Sequence, residues 1–402
     1  MLKKYFPMQM LKFGEQNKQS LPIRIGKTMN ILVLSWRDHK HPQAGGAEQV
    51  MHEHMKGWVG AGHKVTLFSS RVKGLSNKET FDGIEIVRKG DQYFGVKIAA
   101  FFFWLRNKEN YDFVVDQFHG LPFFTPLYVN KPKLAVLQEV AGKVWFLNEF
   151  PFPFNWIVGL IGYLFEPIIF LFYRNTHFMV GSESAKADLE NVGIPGKNIT
   201  IIPHGVVIKK LKRLPVKGKI KTVVFLGALT KDKGIEDALK TFSYLAKLGN
   251  YNFWVIGKGG KGYEKYLLNL TEELGIKSKV IFWGFVSEVK KFELLAKAHL
   301  LINPSVREGW GLVNIEANAM RTPVVAYKSA GLIDSVKDGV SGLIIRKNTP
   351  QELTKTVINI LTDIKRYQEL REGAISWSKR FSWNISREKS LNLINRVFKT
   401  NS

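Results

Sequence analysis

Short apolar runs of strand length alternate along this chain with stretches whose apolar residues recur every three to four positions. Residues 30–35 (NILVLS) read as a buried parallel strand. A loop ending in Ala44-Gly45-Gly46 follows, then a helical pattern with Val50, Met51, His54, Met55 and Trp58 on one side, stopped by Gly60 and Gly62. Residues 64–69 (KVTLFS) read as the next strand, which completes a βαβ unit. Further strands are predicted at 83–88, 112–116, 133–138, 177–181 and 199–203. A basic, proline-containing stretch at 207–221 is the best candidate for a linker.

After it the alternation starts again. Strands are predicted at 222–227 (TVVFLG), 252–257 (NFWVIG), 279–284 (KVIFWG), 299–304 (HLLINP) and 322–327 (TPVVAY). Helices are predicted between them at 235–247, 263–274, 287–296 and 312–320. This alternation predicts an α/β protein with parallel, doubly wound sheets. Two such sheets predict two Rossmann-like domains facing each other across a cleft. The expected division is a basic N-terminal extension over 1–28, a first domain over 29–205 and a second over 206–380, with a last helix over 381–402 packing back on the first domain.

Residues 150–173 (FPFPFNWIVGLIGYLFEPIIFLFY) depart from this pattern. Their length would permit a membrane span. Pro151, Pro153 and Pro167, with Asn155 and Glu166, argue against one. A pair of core helices and a surface facing a membrane or an acceptor are the other two readings. Phe101, Phe102, Phe103 and Trp104 form a second aromatic cluster in the same half.

Composition adds charge to this picture. The chain of 402 residues carries a formal net charge of +25, with ordinary apolar content. Such a surface suits an anionic partner: nucleic acid, anionic lipid or a phosphate-bearing small molecule. The positive charge is spread out, and no zinc spacing, RNA-binding signature or basic heptad accompanies it, so nucleic acid is not expected. With no cysteine there can be no disulfide, thiolate metal site or cysteine nucleophile, which fits a reducing cytoplasm. The first 28 residues have neither the apolar core nor the cleavage site of a signal peptide.

The strongest chemical signal is the segment from Pro304 to Ala317 (PSVREGWGLVNIEA), between a strand and a helix at the carboxyl end of the strand. Open α/β sheets bind ligands there. Gly309 and Gly311 let backbone approach a ligand, and the N–H groups of Gly311, Leu312 and Val313 fall at the helix start, where anions bind. Glu308 precedes that helix and Glu316 lies about one turn inside it. The two carboxylates can therefore flank a bound diphosphate, and carboxylates are acceptors suited to sugar hydroxyls. Taken alone, the pair reads better as a capped helix with one solvated glutamate.

Glu308, seven residues, then Glu316 resembles the paired-glutamate motif of the family 4 retaining glycosyltransferases, which have the GT-B fold. Ala44-Gly45-Gly46-Ala47-Glu48 resembles their glycine-rich first loop. Ile202-Pro203-His204-Gly205-Val206 resembles their domain-junction motif, where asparagine often stands at the position of His204. Gly227-Ala228-Leu229 with Lys233-Gly234, Thr322-Pro323-Val324-Val325-Ala326, and Asp338-Gly339 with Gly342-Leu343 complete the likeness from residue 29 onward.

The resemblance implies an acceptor-side first domain and a second domain that binds a nucleotide-diphosphate sugar. Glu316 would hold the ribose, Glu308 the transferred sugar, and Lys233 the diphosphate. Gly45 and Gly46 would bring backbone against that diphosphate, and His119 would stand at the reacting carbon. It implies no metal and no further cofactor. The apolar run at 150–173 and the basic charge, rather than the resemblance, add the expectation of a glycan or lipid-linked glycan acceptor, such as a cell-envelope polysaccharide precursor, and of a cytoplasmic protein peripheral on the inner face of the membrane. The family usually has arginine where this chain has Ala228, so one cationic phosphate ligand is missing, with Lys231 and Arg307 as substitutes.

Two features compete with this reading. Gly257-Lys258-Gly259-Gly260-Lys261-Gly262 matches G-x-G-x-x-G, which would suit an NAD-dependent oxidoreductase. It follows the second strand of its half, however, and no acidic residue ends the next strand. His39 and His41 look like a metal pair without a third ligand nearby. A basic protein that binds anions or membranes without catalysis is the non-enzymatic alternative.

Overall fold

The computed structural model describes residues 27–118, 121–148, 151–206 and 215–401. The first sheet holds β1 (Asn30–Leu34), β2 (Lys64–Ser69), β3 (Lys78–Phe81), β4 (Ile84–Arg88), β5 (Phe113–Gln117), β6 (Lys133–Leu137), β7 (His177–Val180) and β8 (Ile199–Ile201). Their spatial order is β3-β4-β2-β1-β5-β6-β7-β8, parallel except for the β3–β4 pair. Period-two alternation splits the central strands between two cores. Ile31 and Val33 face Met51, Met55 and Trp58 of α1 (Gly46–Gly60). Leu32 and Leu34 face Val96, Ala100 and Trp104 of α2 (Gly95–Asn107).

α3 (Phe154–Phe172) and α4 (Glu183–Asn191) also belong to the first domain. The sequence left the apolar run of α3 open between a span, a pair of core helices and an exposed surface. It is one helix, and only Gly159, Glu166, Ile169 and Phe170 within it are buried, so the core-pair reading fails.

The second sheet holds β9 (Lys221–Leu226), β10 (Tyr251–Ile256), β11 (Val280–Gly284), β12 (Leu300–Asn303), β13 (Val324–Ala326) and β14 (Gly342–Ile344) in the order β11-β10-β9-β12-β13-β14, all parallel. Its helices are α5 (Ile235–Leu248), α6 (Lys261–Glu273), α7 (Glu288–Lys297), α8 (Leu312–Ala319), the single turn α9 (Leu332–Ser335), α10 (Pro350–Thr362) and α11 (Ile364–Ser378). The order reverses direction at β9 and β12, so the loops leaving these neighbouring strands open a crevice at the carboxyl edge.

The last helix, α12 (Trp383–Asn401), returns to the first domain. Leu391, Leu393, Ile394 and Val397 enter the core beside α1, and Trp58 Nε1 donates to Ser390 Oγ at 3.1 Å. The chain thus crosses between the domains twice, and the crossings touch: Val206 N donates to Phe381 O at 3.4 Å. A side chain at Gly205 would meet the Trp383 backbone nitrogen at 2.3 Å.

Candidate functional site

The loops leaving β9 and β12 bring Lys233 and Glu308 together. Lys233 ends a 3-10 turn, Lys231–Lys233, and its Nζ lies 3.1 Å from Glu308 Oε1 and 3.5 Å from Asp232 Oδ2. Ser305 Oγ donates to the same Glu308 oxygen at 3.1 Å, and Glu308 N donates to Ala330 O at 3.1 Å, which fixes the loop. Burial disfavours a charge on Lys233, but the carboxylates of Glu308, Asp232 and Glu139 outweigh it and hold the ammonium protonated beyond the ordinary lysine range. A partly buried cation of this kind is suited to a phosphate group.

Gly311 caps α8 with φ 82°, and a side chain there would also meet Ser335 Oγ at 2.8 Å. Leu312 and Val313 form the first turn of α8, whose leading N–H groups have no partner within the helix. Glu316 sits one turn further on, buried, and its Oε1 accepts from Lys291 Nζ of α7 at 2.8 Å. Burial pushes the Glu316 carboxyl up, and Lys291 opposes this.

The first domain supplies the opposite wall. Gly45 N donates to Glu48 Oε2 at 2.7 Å, and Trp36 Nε1 donates to Glu48 Oε1 at 3.3 Å, so one buried carboxylate shapes the glycine loop. A Cβ built on Gly46 would lie 3.4 Å from Leu312 Cδ1, which puts this loop against the start of α8. A Cβ on Gly309 would lie 2.6 Å from Gln138 O. Only glycine permits that approach of the two domains. His119 lies outside the described residues. The chain on either side of it is anchored by Asp116, which accepts from Phe123 N at 3.1 Å and from Thr125 Oγ1 at 2.8 Å.

Arg307 does not take the place of the missing arginine. Its guanidinium crosses the cleft to pair with Asp188, and its Nε lies 3.8 Å from Glu139 Oε2. Lys231 has no ion pair among the described residues. Sequence reading missed Glu139, Asp188 and Lys291. Glu139 carried a signal, since it follows β6 at the carboxyl edge where α/β sheets bind ligands.

The competing motifs have structural roles. Gly257, at φ 147°, packs on the β9 end, where a Cβ would meet Gly227 O at 1.8 Å, so that glycine serves strand packing. His39 stacks on Phe81 and lies tilted against His52, with ring centroids 4.5 and 4.0 Å away, and both its ring nitrogens are buried.

The comparisons with known proteins agree with this geometry. The profile of Glycosyltransferase Family 4 matches residues 44–210 and that of Glycosyl transferases group 1 matches residues 207–377. An uncharacterized glycosyltransferase of Methanocaldococcus jannaschii is 31% identical over 183 residues, 44% of this chain and 45% of that protein. The chain spans about half the length of the curated relatives it matches. Sucrose-phosphate synthase from Thermosynechococcus elongatus superposes with a TM-score of 0.76 at 19% identity, over 92% of this chain and 100% of that one. Anabaena HepE, solved with UDP and glucose, gives a TM-score of 0.69 at 17% identity over 92% and 100%. The two profiles adjoin at the domain junction, each on one Rossmann-like domain of a GT-B fold, and the chain belongs to the family 4, group 1 glycosyltransferases.

Proposed function

We propose that this protein moves a sugar from a nucleoside-diphosphate sugar to an acceptor hydroxyl with retention of anomeric configuration. The observation that carries this reading is the partly buried Lys233 ammonium, held by Glu308 in the cleft beside the start of α8. The donor diphosphate would lie between Lys233, the leading amides of α8 and the Gly45-Gly46 backbone, with Glu316 on the ribose. The complexes of Anabaena HepE with UDP and with UDP-glucose support a uridine nucleotide as a first donor to try.

In the reaction the bond from the anomeric carbon to the diphosphate oxygen breaks, and the acceptor oxygen bonds to that carbon from the same face. The acceptor proton leaves with the diphosphate. The transition state has oxocarbenium character, so its barrier falls when the departing negative charge is stabilised. Lys233 and the α8 amides do this. Glu308 orients the sugar, and His119 contributes at the reacting carbon. The acceptor is a glycan or lipid-linked glycan of cell-envelope polysaccharide synthesis, met on the cytoplasmic face of the membrane.

The test is release of nucleoside diphosphate from a panel of nucleotide sugars, read with and without membrane extract as acceptor. One donor should be consumed by the wild type and spared by Glu308→Gln. Equal consumption by both would remove Glu308 from the site, and no consumption of any donor would overturn the proposed reaction.

A further inference from the structure

Among the described residues, none covers a continuous apolar stripe on α3. Ile157, Leu160, Ile161, Leu164, Ile168 and Leu171 recur every three to four residues, and each is about half exposed. Phe154, Trp156, Phe165 and Phe172 extend the stripe, also exposed. Exposed apolar patches of this extent mark an interaction surface.

α2 adds to it from the same side of the sheet. Phe94, Ile98, Phe102 and Leu105 are exposed there. The residues after β5 join the two helices: Tyr128 stacks edge-on against Phe101 at 5.1 Å, and Phe124 against Phe172 at 6.4 Å.

Positive charge predominates around this surface, although Asp91 and Glu109 stand exposed at the two ends of α2. Within α2 and α3 the ionisable side chains other than tyrosine are Lys97, Arg106 and Glu166. Glu166 is buried and turned into the protein, where it accepts from Ala141 N at 2.8 Å and Gly142 N at 2.7 Å. Lys143 and Arg174 stand exposed beside α3, and Arg106 and Lys108 at the end of α2. Apolar side chains rimmed by lysine and arginine complement an anionic bilayer.

We infer that the outer flank of α3, with α2 beside it, lies in the plane of an anionic membrane, and that Glu166 fixes this flank to the wall of the cleft. A span is ruled out by the helix's inner side, where Ile169 and Phe170 pack in the domain core with Phe178 and Tyr173. The 19-residue helix is about 28 Å long and lies flat. The backbone that Glu166 holds leads directly to Glu139, which faces Lys233 and Arg307. The adjoining Gly142–Leu147 turn packs Trp145 against Gly162, where a Cβ would lie 2.3 Å away, and reaches the Lys231–Lys233 turn on its other side. The docked protein therefore opens its cleft near the headgroups, where a lipid-borne acceptor would be met. This consequence rests on the proposed glycosyl transfer; the docking itself does not.

The test is co-sedimentation with vesicles of phosphatidylcholine alone and of phosphatidylcholine with phosphatidylglycerol. Nucleoside-diphosphate binding is measured on the same samples, so that a failure of docking is told apart from a failure of the transferase reading. The wild type should pellet with the anionic vesicles and be released by salt. Arg174→Gln should bind them about fivefold more weakly. Leu164→Asp/Leu171→Asp, placed at exposed positions, should stay in the supernatant with nucleotide binding unchanged. Because the chain has no cysteine, Ile168→Cys and Ile364→Cys each accept one environment-sensitive fluorophore. Anionic vesicles should shift the emission at 168 and leave that at 364 unaltered. The inference is overturned if the wild type stays in the supernatant, if the double variant pellets as the wild type does, or if both labels shift alike. It is also overturned if the flank proves to join two copies of the chain, seen as a dimer that the double variant abolishes.

Discussion

Lys291 Nζ lies 2.8 Å from Glu316 Oε1 and 2.9 Å from Glu288 Oε1, so the glutamate that ends the paired motif is held between α7 and α8 by a lysine from outside the motif. This keeps a buried carboxylate paired at the place where a ribose would bind. Glu316→Ala should weaken nucleoside-diphosphate binding by about tenfold to a hundredfold, the worth of a charged hydrogen bond. Calorimetry checks it, and an unchanged Kd would remove Glu316 from the ribose site.

Glu308 contacts Lys233, yet its proposed partner is the sugar. Glu308→Gln keeps a hydrogen-bonding side chain next to Ser305. It should leave binding of the bare nucleoside diphosphate within about threefold, and lower turnover by about a hundredfold or more. Wild-type turnover in this variant would contradict the assignment.

Ala228 is exposed at the end of β9, which leaves room for a longer side chain. Ala228→Arg should restore a second cation for the diphosphate and tighten donor binding by about tenfold. Weaker donor binding would mean that the space is already used.

Arg307 holds the two domains together through Asp188 and Glu139. Arg307→Ala should open the cleft, which small-angle X-ray scattering would record as a larger radius of gyration. An unchanged scattering curve would show that Gly309 against Gln138 and Ser184 against Asp334 suffice to keep it closed.

Near the domain crossing His204 stacks on Trp383 and His54 meets both rings edge-on, and both histidines are buried. Burial lowers His54 from 6.5 to about 3 and His204 from 6.5 to about 4. Both fold neutral, so their contribution is complete above pH 6.5 and is lost as the pH falls from there toward about 4 for His204 and about 3 for His54. At pH 5 the loss should be roughly 1–2 kcal/mol per histidine. Denaturant unfolding at pH 7 and pH 5 measures it, and His54→Phe should show a shallower acid limb. Equal stability of the wild type at both values would contradict the assignment.

Much of this was legible in the sequence, for physical reasons that differ by element. Parallel strands buried on both faces leave unbroken apolar runs, so β1, β2, β9, β10 and β12 stood out. The edge strand β3 did not, because Lys78–Phe81 is mostly exposed and alternates nothing apolar. β14 is only Gly342–Ile344, too short to make a pattern. The α3 run was visible, but hydropathy does not record burial, so its reading stayed open until its neighbours were known. Within the site, Glu308, Glu316 and Lys233 were marked by local motifs. Asp188 and Lys291 were not, because Asp188 meets Arg307 and Lys291 meets Glu316 far along the chain, and Glu139 was marked only by its place after β6. Arg307, named with Lys231 as a substitute for the arginine missing at Ala228, is drawn across the cleft by carboxylates that sequence adjacency does not show.

The central claim is that the cleft between the two domains binds a nucleoside-diphosphate sugar through Lys233 and Glu316. Thermal unfolding of the wild type and of Glu316→Ala, each with a panel of nucleoside diphosphates and their sugars, tests it directly. Ligand at a hundredfold excess over Kd stabilises a protein by about 2.7 kcal/mol, a shift of a few degrees. The account predicts that at least one nucleotide raises the melting temperature of the wild type and does so much less in the variant. No shift with any nucleotide, or the same shift in both proteins, would contradict it.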